Sequence, residues 1–266
     1  MENEKIDRIL ENWDLGKIII YNKAENGEVN HNWIIKTSKG DFILRKVTKN
    51  KKLRGIKFEL EYLKKLKQNG FSYKIPLPLP MKNKKEILNT SEGYFWVYKF
   101  IEGELIYKTG KNELMEMARM MTMYHDILEK INLNNKQGNI SAFAKLEVLK
   151  ELKNFREKAV KKVFLEESEK LIPILESLDE KEYNKLKQYP IHRDLNPENI
   201  IWKDRKISGI IDFDNVSELN DTLIKDVSIV IQYCCPNKLK KLEFEKAKFF
   251  INEYRKYRKL SEEEIK

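Results

Sequence analysis

No stretch of this 266-residue chain approaches the ~20 consecutive apolar residues that a membrane-spanning helix needs, so no membrane partner is expected. The opening, MENEKIDRILENWDLG, is acidic and amphipathic and has no apolar core of a secretory leader, so none is expected. Cysteine is nearly absent, with two residues side by side at Cys234 and Cys235. Sequence neighbours rarely pair with each other, and VSIVIQYCC has the pattern of a buried helix. Both are therefore expected to be reduced core thiols in a cytoplasmic protein. No Cys/His spacing suggests zinc. An internal repeat and a low-complexity tail are also missing.

Basic charge is what the chain has in excess: 52 Lys and Arg against 42 Asp and Glu, a net +10. One reading is a polyanionic partner, nucleic acid or nucleotide. The other is a lysine-rich composition spread over solvated helix faces. The basic runs KNKKLRGIK and KNKK lack the interleaved aromatic residues that stack on bases, so nucleic acid is not expected. The 41% hydrophobic content supports a sizeable core, in one large domain or two lobes.

The first hundred residues read as strands. KIIIYN, NWIIKTS and DFILRKV are short β-branched or aromatic runs, separated by KAENGEVNH and by a turn at Lys39-Gly40. Ile56, Leu60, Leu63 and Leu66 then recur at helical spacing, and Gly70 stops that helix. IPLPLP is neither helix nor central strand, because its prolines lack donors and fix φ. EILN and YFWVYKFIEGE read as two more strands. Beyond residue 103 the pattern is helical. NELMEMARMMTMYHDILEKI is an amphipathic helix whose Met-rich face is expected to pack inward, and residues 143–187 read as two or three charged helices interrupted near Pro173. Strands first and helices after make an α+β chain in two lobes, residues 1–101 and 102–266.

The sharpest signal lies later. HRDLNPENII occupies 192–201 and ISGIIDFDN follows at 207–215, so Asp194 is followed by Asn199 five residues on and by Asp212 thirteen further. Taken singly, these are a turn residue, a cap and the end of a strand. Jointly they form the pattern His-Arg-Asp-x-x-x-x-Asn followed by an aliphatic strand entering an Asp, which is rare by chance. It matches the catalytic and metal loops of phosphoryl transfer. That chemistry needs a positioned nucleotide, Mg²⁺ on its phosphates and a carboxylate to orient the attacking hydroxyl. Asp194 suits the last role, and Asn199 and Asp212 suit the metal. Asn196-Pro197 would turn the loop so that Asp194 and Asn199 share one side.

With these motifs the chain resembles the protein-kinase-like superfamily. Within it, the aminoglycoside phosphotransferase and choline kinase group, which includes homoserine kinases, is the most similar. The resemblance covers roughly residues 14–235. It implies a bilobal α+β fold, with an N-terminal antiparallel sheet and helix and a mostly helical C-terminal lobe. It also implies ATP or GTP as co-substrate with Mg²⁺, and a small-molecule hydroxyl as acceptor. DFILRKV would carry the cation for the α- and β-phosphates and FELEYLKKL the Glu that pairs with it. YKFIEGE would be the hinge, with Lys99, Phe100 and Ile101 offering their backbone to the base, and NKAENGEVNHNW the loop over the phosphates. This chain has Arg45 where most kinases have Lys, with Lys46 next to it. Strand alternation puts Arg45 across the sheet from Phe42 and Leu44, so Arg45 is the choice and Lys46 the alternative. Glu59 shares a stripe with Ile56 and Leu63, which favours it over Glu61. The phosphate loop holds one glycine, Gly27, and no GxGxxG pattern.

Protein kinases of the eukaryotic type would read HRDLKPEN and would carry a long segment from DFG to APE. Here Asn196 replaces that Lys, and Asp226, expected to anchor the catalytic loop, follows Asp212 by only fourteen residues. A small acceptor is therefore expected, with a short-loop atypical protein kinase as the alternative. A nucleotide-binding module without catalysis would not need Asp194, Asn199 and Asp212 together. The acidic segment with Asp212, Asp214, Glu218 and Asp221 suits either a cationic acceptor or a solvated loop. His125 resembles a helix histidine of the family and is expected to be a semi-buried structural group.

Overall fold

Alternating apolar residues make the first part of the chain a sheet. The computed structural model describes residues 2–24, 31–47, 51–131, 133, 145–158, 162–177, 180–217, 220–237, 239 and 241–265. Helix α1 (Glu2–Leu10) leads to β1 (Ile18–Lys23), β2 (His31–Thr37) and β3 (Gly40–Val47). After α2 (Leu53–Gln68) come β4 (Leu88–Thr90) and β5 (Gly93–Lys99), giving an antiparallel sheet of order β1-β2-β3-β5-β4. Both faces of β3 are covered. On one face Phe42 and Leu44 pack with Trp33, Phe95 and Val97 against α1. On the other, Ile43 and Val47 meet Trp96, Tyr98 and the apolar stripe of α2. Ile56, Leu60, Leu63 and Leu66 of that stripe are all buried, and the helix ends at Asn69 before Gly70, whose φ is +90°.

The expected strand YFWVYKFIEGE is shorter than its apolar pattern. β5 stops at Lys99, and the chain turns at Gly103 into β6 (Glu104–Leu105), which pairs with a different sheet. Gly103 has φ +151°, and a Cβ there would lie 2.2 Å from the Trp202 carbonyl oxygen. No side chain fits at this crossing. IPLPLP runs beside β5, where the Leu79 amide donates to the Val97 carbonyl at 2.7 Å.

The rest is mainly helical: α3 (Lys111–Lys130), α4 (Lys145–Lys158), α5 (Lys162–Ser177) and α6 (Glu180–Lys185). Pro173 does not interrupt the chain as its sequence suggests. It lies inside α5 on the exposed side, where water can take the hydrogen bond that the ring removes. β7 (Gln188–Tyr189), β8 (Ile200–Lys203), β9 (Lys206–Ile210) and β10 (Asp221–Thr222) carry the motif region. β6, β8 and β9 form one small sheet and β7 and β10 another. α7 (Leu223–Cys234), α8 (Phe244–Tyr257) and α9 (Glu262–Ile265) follow. Met117, Met120 and Met121 of α3 are buried, as their helical spacing implies. The larger apolar cluster is continuous from α2 through α3 to Ile200, Phe213 and Val230, so the motif strands rest on one core.

Cys234 and Cys235 are free and buried at the end of α7. Burial pushes their thiols up, to about 12 and about 11. Neither is expected to react with a thiol reagent at about pH 8 while the protein is native, and unfolding should expose both. Fast labelling of the native protein would contradict this packing.

Candidate active site

The catalytic-loop motif is held by a buried carboxylate. Asp226, on the first turn of α7 and fully buried, accepts from the amides of His192 (3.2 Å) and Arg193 (2.8 Å). This is the anchoring expected of it. Arg193 has φ +63°, a strained conformation for a long side chain, costing of order 1–3 kcal/mol. The two amide bonds to Asp226 stabilise it. The His192 ring lies 4.6 Å from that of Phe213, and its Nε2 donates to the Ile211 carbonyl at 2.9 Å. A carbonyl only accepts, so Nε2 carries the proton. His192 thereby ties the loop of Asp194 to the stretch that leads from β9 to Asp212.

Asp194 and Asn199 meet across a short 3-10 turn, Pro197–Asn199. Asn196 caps that turn, its Oδ1 accepting from the Glu198 amide at 2.8 Å, while its Nδ2 donates to Asp194 Oδ1 at 2.7 Å. Asn199 Nδ2 donates to Asp194 Oδ2 and to the Asp194 carbonyl, both at 2.8 Å. Asn196, expected only to shape the turn, therefore also fixes the carboxylate. Because the nitrogen of Asn199 is spent on Asp194, its amide oxygen is the end left for another partner. The Ile211 amide donates to the Asn199 carbonyl at 3.0 Å, which brings Asp212 beside this loop. Asp212 itself has φ +62°, and its side chain is 45% exposed. A carboxylate and an amide oxygen are the oxygen donor types that fit a hard cation such as Mg²⁺.

Arg45 faces these groups from β3. It pairs with Trp96 of β5, is buried, and its guanidinium lies 5.8 Å from the Trp96 ring centre. Its Nη2 reaches Asp212 Oδ1 at 3.0 Å and Asp214 Oδ2 at 2.6 Å. Burial disfavours the charge, but Asp214, Glu59 and Asp212 outweigh it and hold the guanidinium above its ordinary range. Lys46 points to the other face, 5.6 Å from the Phe95 ring and 3.8 Å from Glu92.

The expected direct pairing of Arg45 with Glu59 is not what the side chains make. Glu59 is fully buried on α2, and its Oε2 accepts from Lys51 at 2.7 Å. Lys51 also donates to Asp214 Oδ1 and to the Asp214 carbonyl, each at 3.0 Å. The reason is reach: Asp214 stands closer to Arg45, and Lys51, entering from the start of α2, takes the carboxylate left over. Burial raises the Glu59 carboxyl above its usual value, with Lys51 and then Arg45 opposing it. Among the described residues, Arg45 Nε and Glu59 Oε1 are both buried without a hydrogen-bond partner. Lys51 and Asp214 were missed as site residues. Asp214 had a signal, since it lies two residues after Asp212. Lys51 sits in a basic run with nothing local to mark it.

Of the residues expected to form the hinge, Phe100 donates its amide to the Asp41 carbonyl at 2.9 Å, while Lys99 pairs with Phe42. In an antiparallel ladder this makes Phe42 and Lys99 a non-hydrogen-bonded pair, so the Lys99 amide and carbonyl point away from β3. The Ile101 side chain is buried. The acidic segment after Asp212 is not a plain solvated loop: Asp214 is neutralised by Arg45 and Lys51. Asp221 is buried, accepting from the Tyr183 hydroxyl at 2.9 Å. Glu218 and Gly27 lie outside the described residues. His125 is fully buried rather than half-buried, with Nδ1 2.7 Å from the Tyr254 hydroxyl and Nε2 3.5 Å from Asp226.

The model of the phosphotransferase enzyme family matches residues 21–236. Among named proteins, the chain is 26% identical over 262 residues to a homoserine kinase of Sinorhizobium medicae, covering 98% of this chain and 78% of that one. It is 28% identical over 256 residues to a homoserine kinase of Rhizobium etli, covering 96% and 77%. Among solved structures, it resembles a spectinomycin phosphotransferase in complex with ADP and spectinomycin, with TM-score 0.67, 12% identity and coverage of 94% and 79%. It also resembles a microcompartment-associated aminopropanol kinase, with TM-score 0.65, 14% identity and coverage of 98% and 83%.

Asp226→Leu should cost about 3 kcal/mol or more of stability, because it orphans two buried amides that were bonded to a charged group. Denaturant unfolding measures it. A loss under about 1 kcal/mol would mean the loop does not depend on this carboxylate.

Proposed function

The chain belongs to the phosphotransferase enzyme family of small-molecule kinases, and from that premise we propose that it transfers the γ-phosphate of ATP or GTP to the hydroxyl of a small amino alcohol resembling homoserine. The observation that carries the catalytic part is the pair of bonds at 2.8 Å from Asn199 Nδ2 to Asp194, which sets a carboxylate and an amide oxygen side by side. The acceptor class rests on similarity to homoserine kinases that covers 98% and 96% of this chain and 78% and 77% of theirs. The spectinomycin phosphotransferase, at 12% identity, is too distant in sequence to carry it.

Asp194 accepts the proton of the acceptor hydroxyl as its oxygen bonds to the γ-phosphorus and the bond to the bridging oxygen of the diphosphate breaks. Its two amide partners fix the carboxylate in orientation without protonating it. Arg45 contacts the α- and β-phosphates, and Glu59 supports it within the same charge cluster. Lys99 and Ile101 offer backbone groups to the base; the Phe100 amide is engaged by Asp41, which leaves it a supporting role. Asn199 and Asp212 would hold Mg²⁺, which when bound withdraws charge from the phosphate oxygens. In this reading residues 1–101 form the nucleotide lobe and 102–266 the catalytic and acceptor lobe.

The test is nucleotide consumption by the purified protein with homoserine, aminopropanol, choline and aminoglycosides. Homoserine is expected to give the highest turnover. Incorporation of labelled phosphate into protein, with none of these acceptors turning over, would favour the atypical protein kinase instead. Asp194→Asn should lower kcat by ~10²–10⁴-fold while nucleotide affinity stays within a few-fold. Nearly full turnover in that variant would remove Asp194 from the mechanism. Asp212→Asn should raise the Mg²⁺ concentration needed for nucleotide to stabilise the protein against heat. An unchanged requirement would place the metal elsewhere.

A further inference from the structure

Lys51 is placed where no phosphate-transfer motif requires a residue, yet it is among the best-bonded side chains of the site. An ammonium has three donors. Those of Lys51 are matched by Glu59 Oε2 at 2.7 Å, Asp214 Oδ1 at 3.0 Å and the Asp214 carbonyl at 3.0 Å. Its side chain is only 16% exposed. Among the described residues, Lys51 is also the hydrogen-bond partner of Glu59, whose other oxygen has none. The three acceptors lie on two different parts of the fold. Glu59 belongs to α2, and Asp214 opens the short 3-10 helix Asp214–Ser217 that follows Asp212.

A second contact joins the same two elements. Gly55, on the first turn of α2, comes so close to Ser217 that a Cβ there would lie 3.3 Å from Ser217 Oγ and 3.7 Å from Lys51 Cε. Ser217 Oγ in turn donates to the Asp214 carbonyl at 3.1 Å. The peptide after Asp214 is thus gripped by Lys51 and Ser217, and α2 is seated against it by a residue without a side chain.

We propose that Lys51 is a positioning residue for phosphoryl transfer, clamping Glu59 of α2 to Asp214 so that the metal loop carrying Asp212 is held in its working geometry. The inference rests on the reading of Asp212 as a metal ligand. Asp214 lies two residues from Asp212, and both hold Arg45 Nη2, at 2.6 and 3.0 Å. A shift of Asp214 therefore moves the guanidinium and Asp212 together. By taking Glu59 for itself, Lys51 also leaves Arg45 as the cation whose Nη2 faces the exposed carboxylate of Asp212.

The experiment compares Lys51→Met, Lys51→Arg and Asp212→Asn in the full chain. One readout is the Mg²⁺ dependence of thermal stabilisation by ADP; the other is the split between kcat and the nucleotide KM. Groups that orient metal ligands typically cost about 10–100-fold in metal affinity or activity when removed, and Lys51→Met should raise the half-saturating Mg²⁺ and lower kcat within that range. Its nucleotide KM at saturating Mg²⁺ should move much less, and Lys51→Arg should recover most of the loss. If Lys51→Met fails to fold, Gly55→Val, which adds bulk between α2, Ser217 and the Lys51 stem while removing no charge, should shift the Mg²⁺ dependence in the same direction. A lower melting temperature with unchanged Mg²⁺ dependence would overturn the clamp and leave Lys51 a structural ion pair. A raised nucleotide KM with unchanged Mg²⁺ dependence would overturn it in favour of direct phosphate contact. A shifted Asp212→Asn beside an unmoved Lys51→Met rejects the clamp alone; an unmoved Asp212→Asn rejects the metal-loop reading and the clamp with it.

Discussion

A guanidinium nearly shut off from water has to be surrounded by carboxylates, and the site is organised around that need. Arg45 is only 3% exposed. Stripped of partners, such a charge would cost several kcal/mol to bury. Its neighbours come from three separate stretches: Glu59 from α2, and Asp212 and Asp214 from the loop after β9, with Lys51 balancing the acid from the loop before α2. Meeting this one electrostatic requirement draws β3, α2 and the end of β9 to a common point. It also leaves a cluster of three carboxylates and two cations, one positive charge short of balance. A site of this balance is suited to receive a cation on its exposed member, Asp212.

A second constraint acts on the backbone. Arg193 and Asp212 both take φ near +60°, and both are pinned by hydrogen bonds from outside their own side chains. Asp226 holds the first through its amide. His192 holds the strand leading to the second through the Ile211 carbonyl. Behind them lies a buried polar chain: the Tyr62 and Tyr124 hydroxyls are bonded to each other between α2 and α3, and His125 links Tyr254 of α8 toward Asp226. The Tyr254 phenol is pushed up by burial, so it keeps its proton beside His125 Nδ1. These bonds make the strained residues a property of the whole core rather than of their own loop.

Much of this arrangement was legible in the sequence, and the reasons differ from place to place. Period-two and period-three-to-four apolar patterns located β3 and the buried face of α2, because burial enforces those periods directly. The alternation argument also put Arg45 and Lys46 on opposite faces of β3, as their contacts do. The spacing of Asp194, Asn199 and Asp212 was legible because local turn chemistry brings the first two together. What could not be read was choice among long-range partners. Glu59 could be placed inward, but whether Arg45 or Lys51 would bond it depends on where Asp214 lies, a matter of tertiary distance. The end of β5 was misjudged because Phe100 and Ile101 continue the apolar pattern while Gly103 has already committed the chain to a crossing under Trp202. Pro173 was overweighted, since an exposed helix face tolerates a lost hydrogen bond.

The most direct test is a crystal structure of the protein grown with ADP and magnesium. The account predicts that the diphosphate lies against Arg45, that the metal joins Asp212 and the amide oxygen of Asn199, and that the base meets the backbone of Lys99 and Ile101. A nucleotide bound elsewhere, with Arg45 still paired to both Asp212 and Asp214, would contradict it.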